Sequence, residues 1–312
     1  MINIVIPVYN TDVRQFQQAV YSVLAQTKKA FPIVVDDCSD EENSARYRDF
    51  CEKLNIPYHR LEENGGPAAA RNWGLAHTFK ACKYVAFLDS DDSLFPNFAE
   101  VVEEAAIKGN ADVIYTDILA ESATRADDHV ISAEHSTTWT HGKLYRIDFL
   151  KENMIYFDTE LRTNEDVLFN SCVGFLAKKK AYISKTFYIW RNYRDSLTRK
   201  QKLVDWTKEN NIYYLLANLK VLDFIWSKIE DKAEMGVVVA QIYNGYQNEV
   251  ALNERDCYLQ PSFVEQIRQI LSTKNGKRDY LKYCKNNFEG IPYRRGPYEW
   301  LKEIGVDVEC IK

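Results

Sequence analysis

Leu88-Asp89-Ser90-Asp91-Asp92 sets three carboxylates into four consecutive positions, directly after the apolar run of residues 84–88. Charges this close repel one another unless a cation sits among them. Hard oxygen ligands of this kind suit Mg²⁺ or Mn²⁺ shared with a phosphate. Read alone, the stretch fits equally a solvated acidic loop ahead of a helix. A second acidic pair, Glu165-Asp166, follows Thr163-Asn164 and precedes Val167, Leu168, Phe169 and Cys172. Locally that pattern is a helix start, with Thr163 or Asn164 as cap and two acids complementing the dipole. Between Lys178 and Lys202 there are nine Lys or Arg residues against one acid, Asp195. Lys178-Lys179-Lys180 reads as a solvated helix end, whereas Arg191, Arg194 and Arg199 are interleaved with Trp190, Tyr193 and Ser196. Guanidinium groups bind phosphate oxygens bidentately, so this strip is a candidate phosphate contact.

Such groups need a frame to bring them together. The chain opens with Asn3-Ile4-Val5-Ile6-Pro7-Val8-Tyr9-Asn10, a strand stopped by a polar loop. Ile33-Val34-Val35 runs into Asp36-Asp37-Cys38-Ser39-Asp40, and Tyr58-His59-Arg60-Leu61 leads towards Asn64-Gly65-Gly66. Residues 84–88 form the fourth run, charge-free and ending in the acidic cluster. Between these runs, Val13, Phe16, Val20, Val23 and Leu24 share one helical face, and residues 68–81 are rich in helix formers. Alternating strands and helices, with polar residues at each strand end, predict a doubly wound α/β domain whose site lies along one sheet edge.

The residues resemble the family 2 glycosyltransferases. The resemblance is carried by Ile6-Pro7-Val8-Tyr9-Asn10, Val35-Asp36-Asp37-Cys38-Ser39, Asn64-Gly65-Gly66 with Ala70-Arg71-Asn72, Leu88-Asp89-Ser90-Asp91-Asp92, Gly142-Lys143-Leu144-Tyr145-Arg146 and Asn164-Glu165-Asp166-Val167-Leu168-Phe169. Single motifs here are weak, but these six occur in the family's order at roughly its spacing, over about residues 1–200. The resemblance implies the GT-A fold, a mostly parallel Rossmann-like sheet flanked by helices, over 1–200. A helical C-terminal domain is expected over 201–312.

It also implies roles. The backbone of Pro7, Val8 and Tyr9 and the Asp37 carboxylate would hold the base of a nucleotide sugar, with Asn64, Gly65, Gly66 and Arg71 beside it. Asp89 would lie near the ribose, with Ser90 a further contact to the nucleotide sugar, and Arg191 and Arg194 of the basic strip would then stand as its phosphate contacts. Asp91 or Asp92 would ligate Mn²⁺ or Mg²⁺ between the phosphates. Asp166 would be the general base that takes a proton from the acceptor hydroxyl, with Glu165 orienting the acceptor or a neighbouring cation. Absence of a separate covalent nucleophile fits single displacement with inversion. The expected activity is metal-dependent transfer of a sugar, from a UDP-sugar, to a saccharide or other glycoconjugate. The segment from Gly142 to Arg146 would lead towards the acceptor side. Residues 118–138, poor in large apolar groups, read as a loop excursion.

Composition bounds the alternatives. Seven scattered cysteines without a Cys-x-x-Cys pair disfavour a disulfide framework, and His129, His135 and His141 lack the thiols and tight spacing of a zinc site. No run approaches a membrane span, and no basic-then-apolar leader opens the chain, so a cytoplasmic enzyme is expected, with membrane-surface association left open. Net charge of −5 disfavours a wide nucleic-acid footprint, although the basic strip keeps transfer to DNA bases as an alternative. A non-catalytic nucleotide-sugar-binding scaffold is the other competitor, and a sugar nucleotidyltransferase ranks below both, for want of a glycine-rich basic loop after the first strand. Apolar faces at Tyr213–Ile229, residues 237–252 and Phe263–Leu271 predict three C-terminal helices, which could also carry a homo-oligomer contact.

Overall fold

A computed structural model describes residues 1–121, 129–132, 138–191, 203–247, 260–288 and 297–306. The chain divides into two compact units, Met1–Lys200 and Gln201–Lys312.

The first unit is built on strand β1 (Ile2–Val8), all seven residues of which are buried. Its partners β2 (Ala30–Asp36) and β4 (Tyr84–Phe87) run parallel on either side, and β3 (Tyr58–Arg60) extends the sheet beyond β2. Continuous apolar runs are what parallel strands covered on both faces require. Helices α1 (Val13–Leu24), α2 (Glu41–Lys53) and α4 (Phe98–Gly109) supply the cover on one face. There Ile2, Ile4, Ile6 and Val8 share a core with Phe16, Val20, Tyr47 and Val102. Val5, on the opposite face of the pleat, packs against Gly74 of α3 (Gly66–Ala76). Asp12 starts α1 by accepting the N–H groups of Arg14 and Gln15 at 2.9 and 3.3 Å.

Strand order is β3-β2-β1-β4-β8-β6-β9-β5, with β5 (Ser93–Leu94), β6 (Val113–Glu121), β8 (Lys143–Arg146) and β9 (Lys180–Trp190) completing the path. β8 runs antiparallel between β4 and β6, whereas β9 is parallel to β6. The chain steps outward from β1 to β3 and then returns to the other side of β1, so the switch point of the sheet lies at the carboxyl ends of β1 and β4. Helix α5 (Ile147–Glu152) follows β8, and α6 (Glu165–Leu176) packs by its Phe169 ring against Phe157, at 4.0 Å and 2°, and edge-on to Phe87 and Tyr145.

One expectation is corrected. The excursion at 118–138 begins as strand: β6 continues to Glu121, and β7 (His129–Ser132) pairs antiparallel with it. The stretch after Lys180 is an eleven-residue strand, with a register shift against β6 around Asp117. Its even spacing of Tyr182, Tyr188 and Trp190 is diluted by Lys and Ser, which hides the period-two pattern.

The second unit is helical: α7 (Leu203–Trp226), a 3₁₀ turn (Lys232–Met235), α8 (Gly236–Gln247), α9 (Pro261–Ser272), α10 (Lys274–Phe288) and α11 (Pro297–Glu303). Leu215, Leu219, Leu222 and Ile225, at three- and four-residue spacing, are buried along α7. Helices stand at the three expected stretches, residues 248–252 of the second lying outside the described residues, and α10 and α11 are additional. Among the described residues no helix is long and apolar enough to cross a membrane.

Candidate functional site

Parallel pairing delivers the ends of β1, β2 and β4 to one edge. The Asp37 N–H donates to the Val8 carbonyl at 2.9 Å, and the Leu88 N–H to the Val5 carbonyl at 3.0 Å. Pro7 and Val8 are buried in β1, with Tyr9 half-buried just beyond it. The Thr11 and Ser90 hydroxyls meet at 2.7 Å, joining the loop after β1 to the loop after β4.

Asp37 is buried, and its Oδ1 accepts the Gly65 N–H at 2.9 Å. Asn64 donates its side-chain amide to the Asp37 carbonyl at 3.2 Å. Burial pushes the Asp37 carboxyl up to about 6, against the pull of the Gly65 and Gly66 N–H groups, and neighbouring Asp36 adds to the rise. Gly66 has φ +77°, and a Cβ on Gly65 would stand 2.6 Å from that of Ala69, so this turn needs its glycines. The arrangement leaves a short acidic acceptor beside open backbone, which suits a planar N–H donor.

Arg71, one turn into α3, is 5% exposed and carries a pair of ion pairs. Its terminal nitrogens donate to Glu165 Oε1 at 2.7 Å and Asp89 Oδ1 at 2.8 Å, and its Nε is buried without a partner. Burial disfavours the charged guanidinium, but Asp89 and Glu165 outweigh it and raise its pKa. Asp89 is also disfavoured as an anion by burial, yet Arg71 and His141 hold it well below the usual carboxylate range. The His141 Nε2 lies 3.1 Å from Asp89 Oδ2, and the imidazole stacks on Tyr188 at 4.6 Å. Gly142, at φ +65°, lets this segment come close to β6, where a Cβ would stand 2.7 Å from the Thr116 hydroxyl.

Asp92 is 1% exposed. It accepts the Tyr188 hydroxyl at 2.6 Å and the Arg191 N–H at 2.8 Å. Burial, then Asp89 and Asp91, push its carboxyl well above the usual range, so a neighbouring cation would be favoured there. Asp89, Asp92 and His141 each offer a ligand atom within 4.8 Å of the others. Two carboxylates and an imidazole are a donor set that fits a divalent cation. Asp91, half-buried, is not a member of that group. The Arg191 guanidinium contacts Ser93 and Glu121, each at 3.4 Å, while its backbone caps Asp92. Arg194 lies outside the described residues.

Asp166 stands half-buried in the first turn of α6, beside Glu165, which is 7% exposed and turned to Arg71. Burial and the Glu165 charge push the Asp166 carboxyl up to about 7, against Arg71, the Val167 N–H and Lys143. Buried Lys143 is pushed down to about 7, with Asp166 opposing the shift, and its ammonium donates to the Trp139 carbonyl. The helix does not start with the expected side-chain cap: Asn164 has φ +63°, and its amide donates to the Thr163 hydroxyl at 3.2 Å. A non-glycine residue in this conformation is uncommon, and Asn is among the types that adopt it most readily.

The fold therefore gathers Arg71, Asp89, Asp92, Glu165 and Asp166 into one region, with Asp37, Asn64 and Gly65 at the neighbouring strand end. Tyr188, Lys143 and His141 were not expected there. The first has no motif of its own, and the other two are marked only by their place around Gly142.

The family model described as glycosyl transferase family 2 matches residues 3–184. Poly(ribitol-phosphate) β-N-acetylglucosaminyltransferase TarS of Staphylococcus aureus (strain Mu50) is 27% identical over 335 residues, covering 95% of this chain and 56% of that protein. The chain thus spans about half the length of this relative. The crystal structure of S. aureus TarS 1–349 in complex with UDP-GlcNAc has a TM-score of 0.66 at 20% identity, over 91% of this chain and 85% of that one. A mannosyltransferase from Pyrobaculum calidifontis, in complex with GDP-Man and Mn²⁺, has a TM-score of 0.55 at 12% identity, over 91% and 84%. These likenesses carry the GT-A fold, and because the family model matches more than half of its length, the chain belongs to glycosyl transferase family 2.

Proposed function

We propose that this protein is an inverting, metal-dependent glycosyltransferase. In this reading it moves a sugar from a UDP-sugar to a hydroxyl of a saccharide or polyol-phosphate glycoconjugate. The observation that carries it is Asp166: a half-buried carboxyl raised to about 7, one residue from the Glu165 that is tied through Arg71 to Asp89. A carboxylate matched to neutral pH is what general-base activation of a weakly nucleophilic hydroxyl requires. TarS, by its name, acts on poly(ribitol-phosphate), which supports the acceptor class.

Asp166 would accept the acceptor proton as the hydroxyl oxygen attacks the anomeric carbon. The bond from that carbon to the diphosphate breaks, its electron pair stays with the leaving phosphate oxygen, and configuration inverts. Asp37 and the β1 end would hold the uracil, and the Asp89 carboxylate would accept from the ribose. Mn²⁺ or Mg²⁺, held by Asp92 together with Asp89 and His141 or by Asp91, would neutralise charge on the leaving diphosphate. This reading carries a cytoplasmic location, where nucleotide sugar is available.

The test is a panel of nucleotide sugars incubated with the protein and Mn²⁺ or Mg²⁺, scored for free nucleotide diphosphate. Release from a UDP-sugar, lost with chelator and in Asp92→Asn, is expected. Failure of every donor both to be cleaved and to shift the melting temperature would sink the proposal.

A further inference from the structure

Resting on that reading, we infer that Arg71 is a positioning residue: it locks the helix bearing Asp166 to the donor-side carboxylate Asp89, and is not a nucleobase contact. The resemblance implies an arginine at the base. In the folded chain the two terminal nitrogens of Arg71 turn instead to Glu165 and Asp89, at 2.7 and 2.8 Å. Glu165 is itself buried. Swinging the guanidinium towards the β1 and β2 ends would strand that carboxylate without a counter-charge, which is strongly destabilising.

A second set of contacts holds the same elements in the same place. Asn72, the next residue of α3, clasps Phe157 from both sides: its amide donates to the Phe157 carbonyl at 2.7 Å and accepts the Phe157 N–H at 2.9 Å. The Phe157 ring lies 5.3 Å from the Arg71 guanidinium carbon and stacks face to face on Phe169 of α6. Helix α3 therefore grips α6 twice, once through charge at its first residue and once through an aromatic ring a turn further on. Asp89 reaches His141 with its other oxygen, so a chain of charged and polar groups runs from His141 through Asp89 and Arg71 to Glu165. Asp166 is the next residue. Whatever orders Asp89 in the presence of donor also orders the turn that holds the base.

A planar fork is needed for this task, because it meets two carboxylates in two directions, and a lysine ammonium cannot reproduce it. The experiment compares Arg71→Met, Arg71→Lys, Glu165→Gln and the Arg71→Met/Glu165→Gln double variant in the full chain. Calorimetry with UDP alone reads base and phosphate binding, and UDP release from UDP-GlcNAc at saturating donor reads turnover. UDP affinity is expected to fall by less than about 10-fold, since the Asp37 contacts are untouched and only the Asp89 contact to the ribose is loosened. Turnover should fall on the order of 10²-fold in each single variant, the cost of a small misplacement of a reacting group. The double variant should fall no further than Arg71→Met, and Arg71→Lys should not rescue. A loss of UDP affinity of about 10-fold or more in Arg71→Met, with turnover kept at saturation, would overturn the inference and restore the nucleobase role. If Arg71→Met does not fold, near-isosteric Glu165→Gln decides alone: unchanged turnover overturns the inference, and lost turnover with retained UDP affinity upholds it. A wild-type protein that neither binds UDP nor releases it from any donor sinks the underlying reading as well, an outcome distinct from the Arg71 result.

Discussion

The hydroxyl of Tyr188 donates to Asp92 at 2.6 Å while accepting the backbone N–H of Asp89 at 3.3 Å. One phenol near the end of β9 thus sets both outer acids of a motif that lies 96 residues away from it. Tyr188 is fully buried, so no water can take over the contact.

Tyr188→Phe would leave the Asp92 carboxylate one donor short in a buried position. Such a loss costs roughly 1–3 kcal/mol, seen as a lower melting temperature. The Mn²⁺ concentration needed for half-maximal UDP release should rise, because Asp89 and Asp92 would no longer be held at a common spacing. A Phe variant equal to wild type in both measurements would remove Tyr188 from the site.

In the proposed mechanism Asp166 sets the pH dependence of turnover. The base works ionised, and its carboxyl is raised to about 7 by burial and Glu165, against Arg71 and Lys143. Activity should therefore rise with pH through about 7 and fall away below it. Asp166→Asn should lower UDP-sugar turnover by roughly 10²–10⁴-fold and remove that limb, with donor-induced thermal shift kept. Stability moves the other way. The folded state holds this proton where the unfolded chain has lost it, so stability declines as pH rises from the ordinary carboxylate value of 3.8 towards 7. Chemical denaturation across that range should show a shallower decline in the Asn variant.

Gly65→Ala tests the turn that presents Asp37. The added Cβ would stand 2.6 Å from that of Ala69, so the first turn of α3 must shift. Overpacking of this kind costs about 1–3 kcal/mol, and the Gly65 N–H would move off Asp37. Both a lower denaturation midpoint and weaker UDP binding are expected. Weaker stability with unchanged UDP affinity would separate the turn from the base site.

Gly74→Ala tests how α3 rests on the sheet. A Cβ there would overlap the Val5 isopropyl group. The single variant should lose stability, again by about 1–3 kcal/mol, and Val5→Ala in the same chain should recover part of it by making room. Two losses that simply add in denaturation curves would mean that the two side chains do not share that space.

Much of this molecule is legible as residue type and period. β1, β2 and β4 announce themselves because parallel strands buried on both faces must be continuously apolar, and because each meets acids or Asn where the sheet ends. Asp37, Asp89, Asp92 and Asp166 are legible for the same reason: their positions follow from where strands stop and a helix starts. β9 was hidden, since its strand character comes from pairing along β6 and its own sequence is diluted by Lys and Ser.

Partnership is the part that sequence could not hold. Local pattern makes Glu165 an acid favoured by a helix dipole, and Arg71 an arginine on a helix. Only the fold, which sets the start of α6 within reach of the Arg71 side chain, brings them, 94 residues apart, to 2.7 Å and withdraws both from solvent. His141 likewise becomes a neighbour of Asp89 through the path of β8 beside β4. Types and spacing determined which groups the chain carries and at which strand ends they stand. The tertiary structure decided which charges meet, because pairing in a buried site depends on distances through space that no spacing along the chain encodes.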